Sequence, residues 1–314
     1  MKVVILLGGL SIGLLAVLVL TELVLRFGLG FGHPPLYVAD ETMGYRLAPN
    51  QKVKRLGNRI EINKYSMRAG AIAPAPPPNT LRVFLLGDSL ANGNWWTDQD
   101  DILSTAIAKS IEPNLPEAYS DIEALNASAN SWGPRNELAY LERYGTFKAQ
   151  VLVLLLNTDD LFGTEPTSLQ VGRDRSYPNR NYSFALTEIF SRLFKKNQPI
   201  PGLKEIQNEG GDRVGKNLTA IHGIYQRATA ANGKLIVVLS TLKRALPGPK
   251  DYELTARQRL QDWATQNNVI YLDLLPDFQA HPNAGEALYR DHIHLSPAGN
   301  AKVSQLIADT ISLP

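Results

Sequence analysis

The sequence predicts a doubly wound α/β domain of about five parallel strands, preceded by one membrane-spanning helix. Three observations lead there. From residue 81 onward, short apolar runs of strand length alternate with longer stretches of helical period. The short runs are apolar almost without interruption, the mark of strands covered on both faces in a parallel sheet. The chain also opens on a long apolar run of a different kind.

That opening run extends from Val3 to Leu20 with Ser11 as its only polar member. As a helix rising about 1.5 Å per residue it covers most of a hydrocarbon core roughly 30 Å thick. Leu23, Val24 and Leu25 complete the span, Glu22 and Arg26 fall at or beyond the far interface, and Lys2 marks the cytoplasmic end. A cleaved signal peptide is the competing reading, but its apolar core is usually only about 7–15 residues and no Ala-x-Ala-like site follows. Residues 1–27 are therefore read as a transmembrane signal anchor. On either reading, the chain after about residue 30 is extracytoplasmic, in the periplasm or at the cell surface.

Residues 28–80 form a lead-in rich in Gly, Pro and polar residues. It ends in Ala73-Pro74-Ala75-Pro76-Pro77-Pro78-Asn79, expected as an extended, polyproline-like connector. Gly44 to Asn50 and Ile60 to Lys64 can form short strands or a small hairpin; whether they pack on the main body or hang loose is open at this level.

The main domain is expected over residues 81–314. Its strand candidates are Leu81–Leu86, Ile122–Leu125, Val151–Leu156, Leu235–Leu239 and Val269–Leu272. Helices are expected around Ile102–Ile111, Glu137–Tyr144, Leu218–Ala230 and Tyr252–Gln266. A final helix is signalled by Ser296 as cap, Pro297 in the first turn, and Val303, Leu306, Ile307 and Ile311 at helical spacing. Such alternation argues for a doubly wound sheet, whose ligands bind at the carboxyl ends of the strands. Residues 162–212 break the alternation and are read as an insertion or lid. Within them Phe184, Leu186, Ile189, Phe190, Leu193 and Phe194 make an amphipathic helix ending in Lys195-Lys196. Its apolar face is expected to pack on the body, the alternatives being a lid or a membrane-facing helix.

Composition removes several functions. The 314 residues carry 32 Lys+Arg against 30 Asp+Glu, which gives no electrostatic case for nucleic acid. With no cysteine there is no disulfide, no Cys-ligated metal and no thiol nucleophile, so covalent catalysis must use another residue. No phosphate-cradling loop with a downstream Lys is present, and no cofactor is expected.

Chemistry concentrates at two places. The first expected strand runs into Gly87-Asp88-Ser89-Leu90, which sets a serine at a strand's carboxyl end. Taken alone, this can be a turn in which Asp88 or Ser89 caps a helix. Near the other end of the chain, Asp291-His292-Ile293-His294-Leu295-Ser296 immediately precedes the last helix. A serine nucleophile needs a base, and that imidazole needs a carboxylate. Ser89 as nucleophile, His294 as base and Asp291 as orienter satisfy this. Asp291, His292 and His294 can also be read as metal ligands, but no further His or Asp cluster at suitable spacing completes a set. Trp95-Trp96, just after the serine turn, either line the pocket or simply pack.

Gly87-Asp88-Ser89-Leu90 after an apolar strand, with Asp291-x-x-His294-Leu295-Ser296-x-x-Gly299, resembles the SGNH/GDSL hydrolase superfamily of serine-dependent esterases, lipases and deacetylases. The resemblance spans residues 81–311 and implies a flavodoxin-like three-layer αβα sandwich. Pro49-Asn50, Ile62-Asn63-Lys64-Tyr65-Ser66-Met67-Arg68 and Arg82 resemble the lead-in of its membrane-anchored members. It also implies oxyanion-hole donors at Ser89 and in two middle blocks, a glycine in one and an asparagine in the other. Here Ser131 stands at the glycine position and Asp159 at the asparagine position, with Asn157 or Asn130 as substitute donors. An ionised Asp159 beside an oxyanion would repel it; losing one donor costs about 100- to 1000-fold in rate. The expected activity is hydrolysis of carboxylic esters of a small molecule, glycan or lipid through an acyl-enzyme. The alternatives are O-acyl transfer to cell-surface polysaccharide, and a non-catalytic domain that binds glycan or lipid.

Overall fold

The structure, a computed structural model, describes residues 2–196 and 198–312. Met1, Asn197, Leu313 and Pro314, which belong to the expected anchor, insertion and main domain, lie outside the described residues, as do the side chains of residues 2–6 and 312. Lys2 is among these.

The chain opens with α1 (Lys2–Leu23), continued by one π-helical turn, Val24–Gly28. Its stretch Leu7–Gly28 has a mean hydropathy of 2.2 and no buried residue in its apolar window, and is long and apolar enough to cross a membrane. The lead-in then makes two hairpins, β1 (Tyr37–Asp40) with β2 (Gly44–Leu47), and β3 (Gln51–Arg55) with β4 (Asn58–Ile62). Leu56 and Gly57 turn the second hairpin with φ of 47° and 90°, the doubly left-handed geometry that matches strand twist. Both hairpins are packed: Met43, Tyr45, Ile62 and Met67 are fully buried against the main sheet. The folded body is accordingly larger than the 81–311 span of the resemblance.

The main domain follows as β5 (Thr80–Gly87), α2 (Ser89–Asn92), α3 (Leu103–Ile111), β6 (Asp121–Ser128), α4 (Pro134–Tyr144) and β7 (Val151–Leu156). After the insertion helices α5 (Ala185–Phe194) and α6 (Leu203–Gln207) come α7 (Arg213–Ala230), β8 (Lys234–Leu239), α8 (Asp251–Gln266) and β9 (Ile270–Asp273). Two short helices, α9 (Leu275–Gln279) and α10 (Ala284–Ala287), precede α11 (Pro297–Ser312). The five strands are parallel in the order β6-β5-β7-β8-β9. This is the flavodoxin-like order, with its switch point at the end of β5.

The strands read as continuous apolar runs because each face has its own core. Phe84, Leu86, Leu152, Leu154, Leu156, Val237 and Leu239 pack on one side with Ile221, Ile224, Leu260 and the hairpins. Val83, Leu85, Val153, Leu155, Ile236 and Val238 pack on the other with Ile107, Phe278, Val303 and Ile307. The two-residue period of a strand divides each run evenly between them.

The insertion helix departs from expectation. Ala185 and Glu188 are the buried residues of α5, whereas Phe184, Phe190, Leu193 and Phe194 are exposed. Polar chemistry holds this helix in place of an apolar stripe. The Glu188 carboxylate, fully buried, pairs with buried Arg55, accepts from Gly32 N at 2.6 Å and from Arg192 Nε at 2.7 Å. Burial by itself would raise its pKa, but these donors hold it below the usual carboxylate value. Removing one partner of a buried pair strands the other, at roughly 3–5 kcal/mol. Glu188→Ala is therefore expected to lower stability by that amount in denaturant unfolding, with Glu188→Gln losing less; an unchanged midpoint for Glu188→Ala would contradict the account.

Candidate active site

β5 delivers Gly87, Asp88 and Ser89 to the switch point. A side chain at Gly87 would meet Leu155 O and Ala91 Cβ at 2.9 Å each, so glycine is what lets β5 lie this close to its neighbours as it turns. Asp88 then caps α2, its Oδ1 accepting from Leu90 N at 2.7 Å. Of the two candidate caps it is Asp88 that caps the helix, and Ser89 is the first residue of that helix, 9% exposed.

From the other end of the chain, the segment 288–296 is pinned at several points. Tyr289 OH donates to Thr241 O at the end of β8, and Lys243 N donates to His292 O. Ser296 Oγ accepts from Gly299 N at 3.1 Å, capping α11. Any side chain at Gly299 would collide with Leu288 O at 2.2 Å. This frame holds His294 Nε2 at 2.9 Å from Ser89 Oγ, and His294 Nδ1 at 2.8 Å from Asp291 Oδ2. With Nδ1–H donating to the carboxylate, Nε2 is left to accept the serine proton. Burial would raise the Asp291 pKa, but the backbone N–H groups of Ile293 and His294 and the imidazole itself hold it at about 2. Asp291 is therefore an anion at any working pH.

Ser89 and His294 open onto a cavity of about 340 Å³. Its walls come from the lead-in (Tyr37, Leu47, Ile60), the loop after α2 (Asn94, Trp95, Trp96) and the insertion (Arg175, Tyr177, Arg192), with Asn130 and Ser131 beyond β6. Both tryptophans line the cavity, and Trp96 packs edge-on against the His294 ring at 5.0 Å. Buried Arg68 fastens that loop, donating to the carbonyls of Asn92, Asn94 and Thr97. Burial lowers its pKa to about 10, still cationic near neutrality. The lead-in also steadies the opposite wall: Tyr45 OH donates to Asn130 O at 2.5 Å and Trp132 Nε1 to Tyr45 O at 2.9 Å.

The remaining candidates separate. Ser131 lines the cavity with φ of 57°, the left-handed region that favours the glycine of the resembling pattern, and its Oγ accepts from Tyr177 OH. Asn157 is buried behind the serine turn, where Nδ2 donates to Asp88 Oδ2 at 3.0 Å and Oδ1 accepts from Asp159 N at 2.8 Å. One of its amide N–H groups and its amide oxygen are thus committed to the scaffold. The Asp159 side chain is 59% exposed, faces Arg244 at 4.0 Å, and is not among the residues that line the cavity. His292 is exposed. Asn94, which the sequence analysis does not single out, also lines the cavity, and its buried Nδ2 has no hydrogen-bond partner. Asn92-Gly93-Asn94 directly after the serine turn was the available signal. Among the described residues, no group of three or more His, Asp or Glu side chains is arranged to hold a metal ion.

The parallel sheet in flavodoxin-like order, with a Ser–His–Asp chain of hydrogen bonds at its switch point, defines an α/β domain of hydrolase type. Residues 85–302, most of the chain, match the GDSL-like lipase/acylhydrolase family, and the protein belongs to it. No curated relative matches the sequence. Among solved structures, an acetylxylan esterase from Geobacillus stearothermophilus is similar at 10% identity and a TM-score of 0.49, covering 76% of this chain and 98% of its own. A member of the lipolytic G-D-S-L family from Veillonella parvula is similar at 13% identity and 0.45, covering 74% and 97%. A lipase/acylhydrolase from Enterococcus faecalis follows at 16% and 0.43, covering 74% and 95%. The family match and the sheet order carry the assignment, not these distant structures.

Behind the serine turn lie three buried carboxyl groups. Burial pushes Asp88 up to about 6, and burial together with its acidic neighbours pushes Asp160 and Glu137 well above the ordinary value. Both Glu137 oxygens lack a partner. A carboxyl whose pKa is raised on folding binds its proton more tightly folded than unfolded, so its stabilising contribution is lost as pH rises above the unfolded value of about 4.3. Glu137→Gln is expected to flatten the fall in stability between about pH 5 and pH 8. Urea midpoints measured across that range check it; identical slopes in both proteins would refute it.

Proposed function

We propose that the protein is a membrane-anchored, extracytoplasmic hydrolase of carboxylic esters, with Ser89 as nucleophile, His294 as general base and acid, and Asp291 as the orienting carboxylate. The observation that carries the proposal is the unbroken chain from Asp291 Oδ2 through His294 to Ser89 Oγ, opening on a cavity. Ser89 Oγ adds to the acyl carbonyl as its proton passes to His294 Nε2, and Asp291 stabilises the imidazolium. Collapse of the tetrahedral adduct returns that proton to the leaving alcohol. Water, deprotonated by the same imidazole, then releases the acid and restores Ser89. The backbone N–H groups of Ser89 and Ser131 are the proposed oxyanion donors. Asn157 and Asp159 take no part as side chains.

Retention of α1 is supported by what its foot does. Both Glu22 oxygens accept from the first N–H groups of α5, Ala185 at 2.8 Å and Leu186 at 3.0 Å, where α5 has no capping side chain of its own. A chain cleaved after α1 would lose that cap.

Ser89→Ala is expected to abolish turnover of a p-nitrophenyl ester, and Asp291→Asn to lower kcat by on the order of 10³–10⁴ with little change in KM. Wild-type turnover in Ser89→Ala would sink the proposal. An added glycan that raises acyl turnover while suppressing free acid would make the activity O-acyl transfer, since an alcohol and water attack the same intermediate.

A further inference from the structure

The insertion presents a surface that the proposed chemistry does not use. On α5, Ala185, Glu188 and Arg192 face inward, and Arg192 reaches the catalytic cavity. On the opposite face Phe190, Leu193 and Phe194 are 65%, 71% and 68% exposed, with the two phenyl rings 4.9 Å apart. Phe184 is exposed at the same helix's start, and Phe27 is exposed on the π turn that packs against α5. Scattered exposed apolar side chains are ordinary, but a contiguous aromatic patch marks a docking surface.

Beside this face lies a cleft of about 460 Å³ lined by Arg173, Arg175, Arg180, Lys195 and Lys196 against the single acid Asp174. Thr187 and Ser191 of α5, with Lys195 at its C-cap, line this cleft and lie three residues before Phe190 and Phe194, so the cationic cleft borders the apolar strip. Arg175 and Pro178 belong to both this cleft and the catalytic cavity. The position of α5 is set by the anchor: besides the Glu22 cap, Arg26 Nη2 donates to Ser183 O at 2.7 Å. The start of α5 is thus fixed at the end of the apolar span Leu7–Gly28.

We propose that the outer face of α5 lies in the interface of the bilayer that α1 spans, and that the adjoining basic cleft receives anionic lipid headgroups. An apolar face flanked by Lys and Arg, held at the level where a membrane helix leaves the hydrocarbon, is the design of an interfacial helix. A second copy docked face to face would instead press two cationic clefts together. The bilayer contact turns the catalytic cavity toward the lipid surface, and the ester it takes is carried by a membrane-embedded amphiphile. This last step rests on the ester-hydrolase reading; the bilayer contact does not.

The chain has no cysteine, so single labels can be introduced cleanly. The full chain carrying Phe190→Cys, Phe194→Cys or, as reference on α8, Leu254→Cys is labelled with a nitrobenzoxadiazole dye. Each is reconstituted into phosphatidylcholine vesicles with or without phosphatidylglycerol. Quenching by shallow spin-labelled lipid is expected to be severalfold stronger at positions 190 and 194 than at 254, and to weaken when phosphatidylglycerol is omitted. Equal quenching at all three positions overturns the proposal, as does indifference to the anionic lipid. Dyes shielded from aqueous iodide but not quenched by lipid also overturn it, making the face a protein contact. A Phe190→Ser/Phe194→Ser double variant is expected to keep turnover of a short soluble ester and to lose severalfold on an ester dispersed in vesicles. An equal rate on the vesicle ester overturns the substrate assignment. Absence of Ser89-dependent turnover in the unmodified protein would defeat the ester-hydrolase reading and leave the quenching result standing.

Discussion

The site depends on one hydrogen bond, between Ser89 Oγ and His294 Nε2, which joins residues 205 positions apart. Neither side chain can hold that geometry alone. Ser89 is where it is because β5 stays pressed against β7 up to Gly87 and then turns at once into α2. His294 is where it is because segment 288–296 is tied to the end of β8 and closed by the Ser296 cap. Asp291 adds orientation: its two oxygens accept from the backbone of the same turn and from the imidazole, so carboxylate, loop and ring form one small rigid unit. A displacement of about 1 Å at either end is enough to cost such a site on the order of 100-fold.

The segments around this core do more than decorate it. The lead-in supplies Arg68, which fastens the loop bearing Asn94, Trp95 and Trp96, and Tyr45, which fastens the loop bearing Asn130 and Ser131. The insertion supplies Tyr177, which meets Tyr37 and Tyr45 edge-on at 5.2 and 5.1 Å, so the roof of the cavity is shared between two segments far apart in sequence. The buried Arg55–Glu188 pair locks these segments together and reaches the foot of α1 through α5. The helix α1, the lead-in, the insertion and the wall of the cavity thus form one connected mechanical unit.

The main sheet is legible because its strands bury both faces: Val151–Leu156 matches to the residue and the other four strands lie close to their expected ranges, whereas α7 begins at Arg213, well before the expected Leu218. The first hairpins were harder. The sequence marks only Gly44–Asn50 and Ile60–Lys64 there, because Gln51–Arg55 carries four polar or charged residues out of five and gains its order from pairing across Leu56-Gly57. The stripe of α5 misled for a different reason: helical period reports that a face is apolar, not what covers it. At the site, the sequence sets Ser89, Asp291 and His294 at element ends, and the fold brings their polar atoms to hydrogen-bond distance. The orientations of Asn157 and Asp159 are not legible, since they follow from two hydrogen bonds made together, Asn157 Nδ2 to Asp88 and the Asp159 backbone N–H to Asn157 Oδ1.

The central claim is that Ser89 is an activated nucleophile, and its reactivity toward an alkyl fluorophosphonate tests this most directly. The full chain, incubated with the probe and mapped by peptide mass spectrometry, is predicted to carry a single adduct on Ser89 that is absent from Ser89→Ala and strongly reduced in His294→Ala. A correctly folded protein that stays unlabelled at Ser89 would contradict the account.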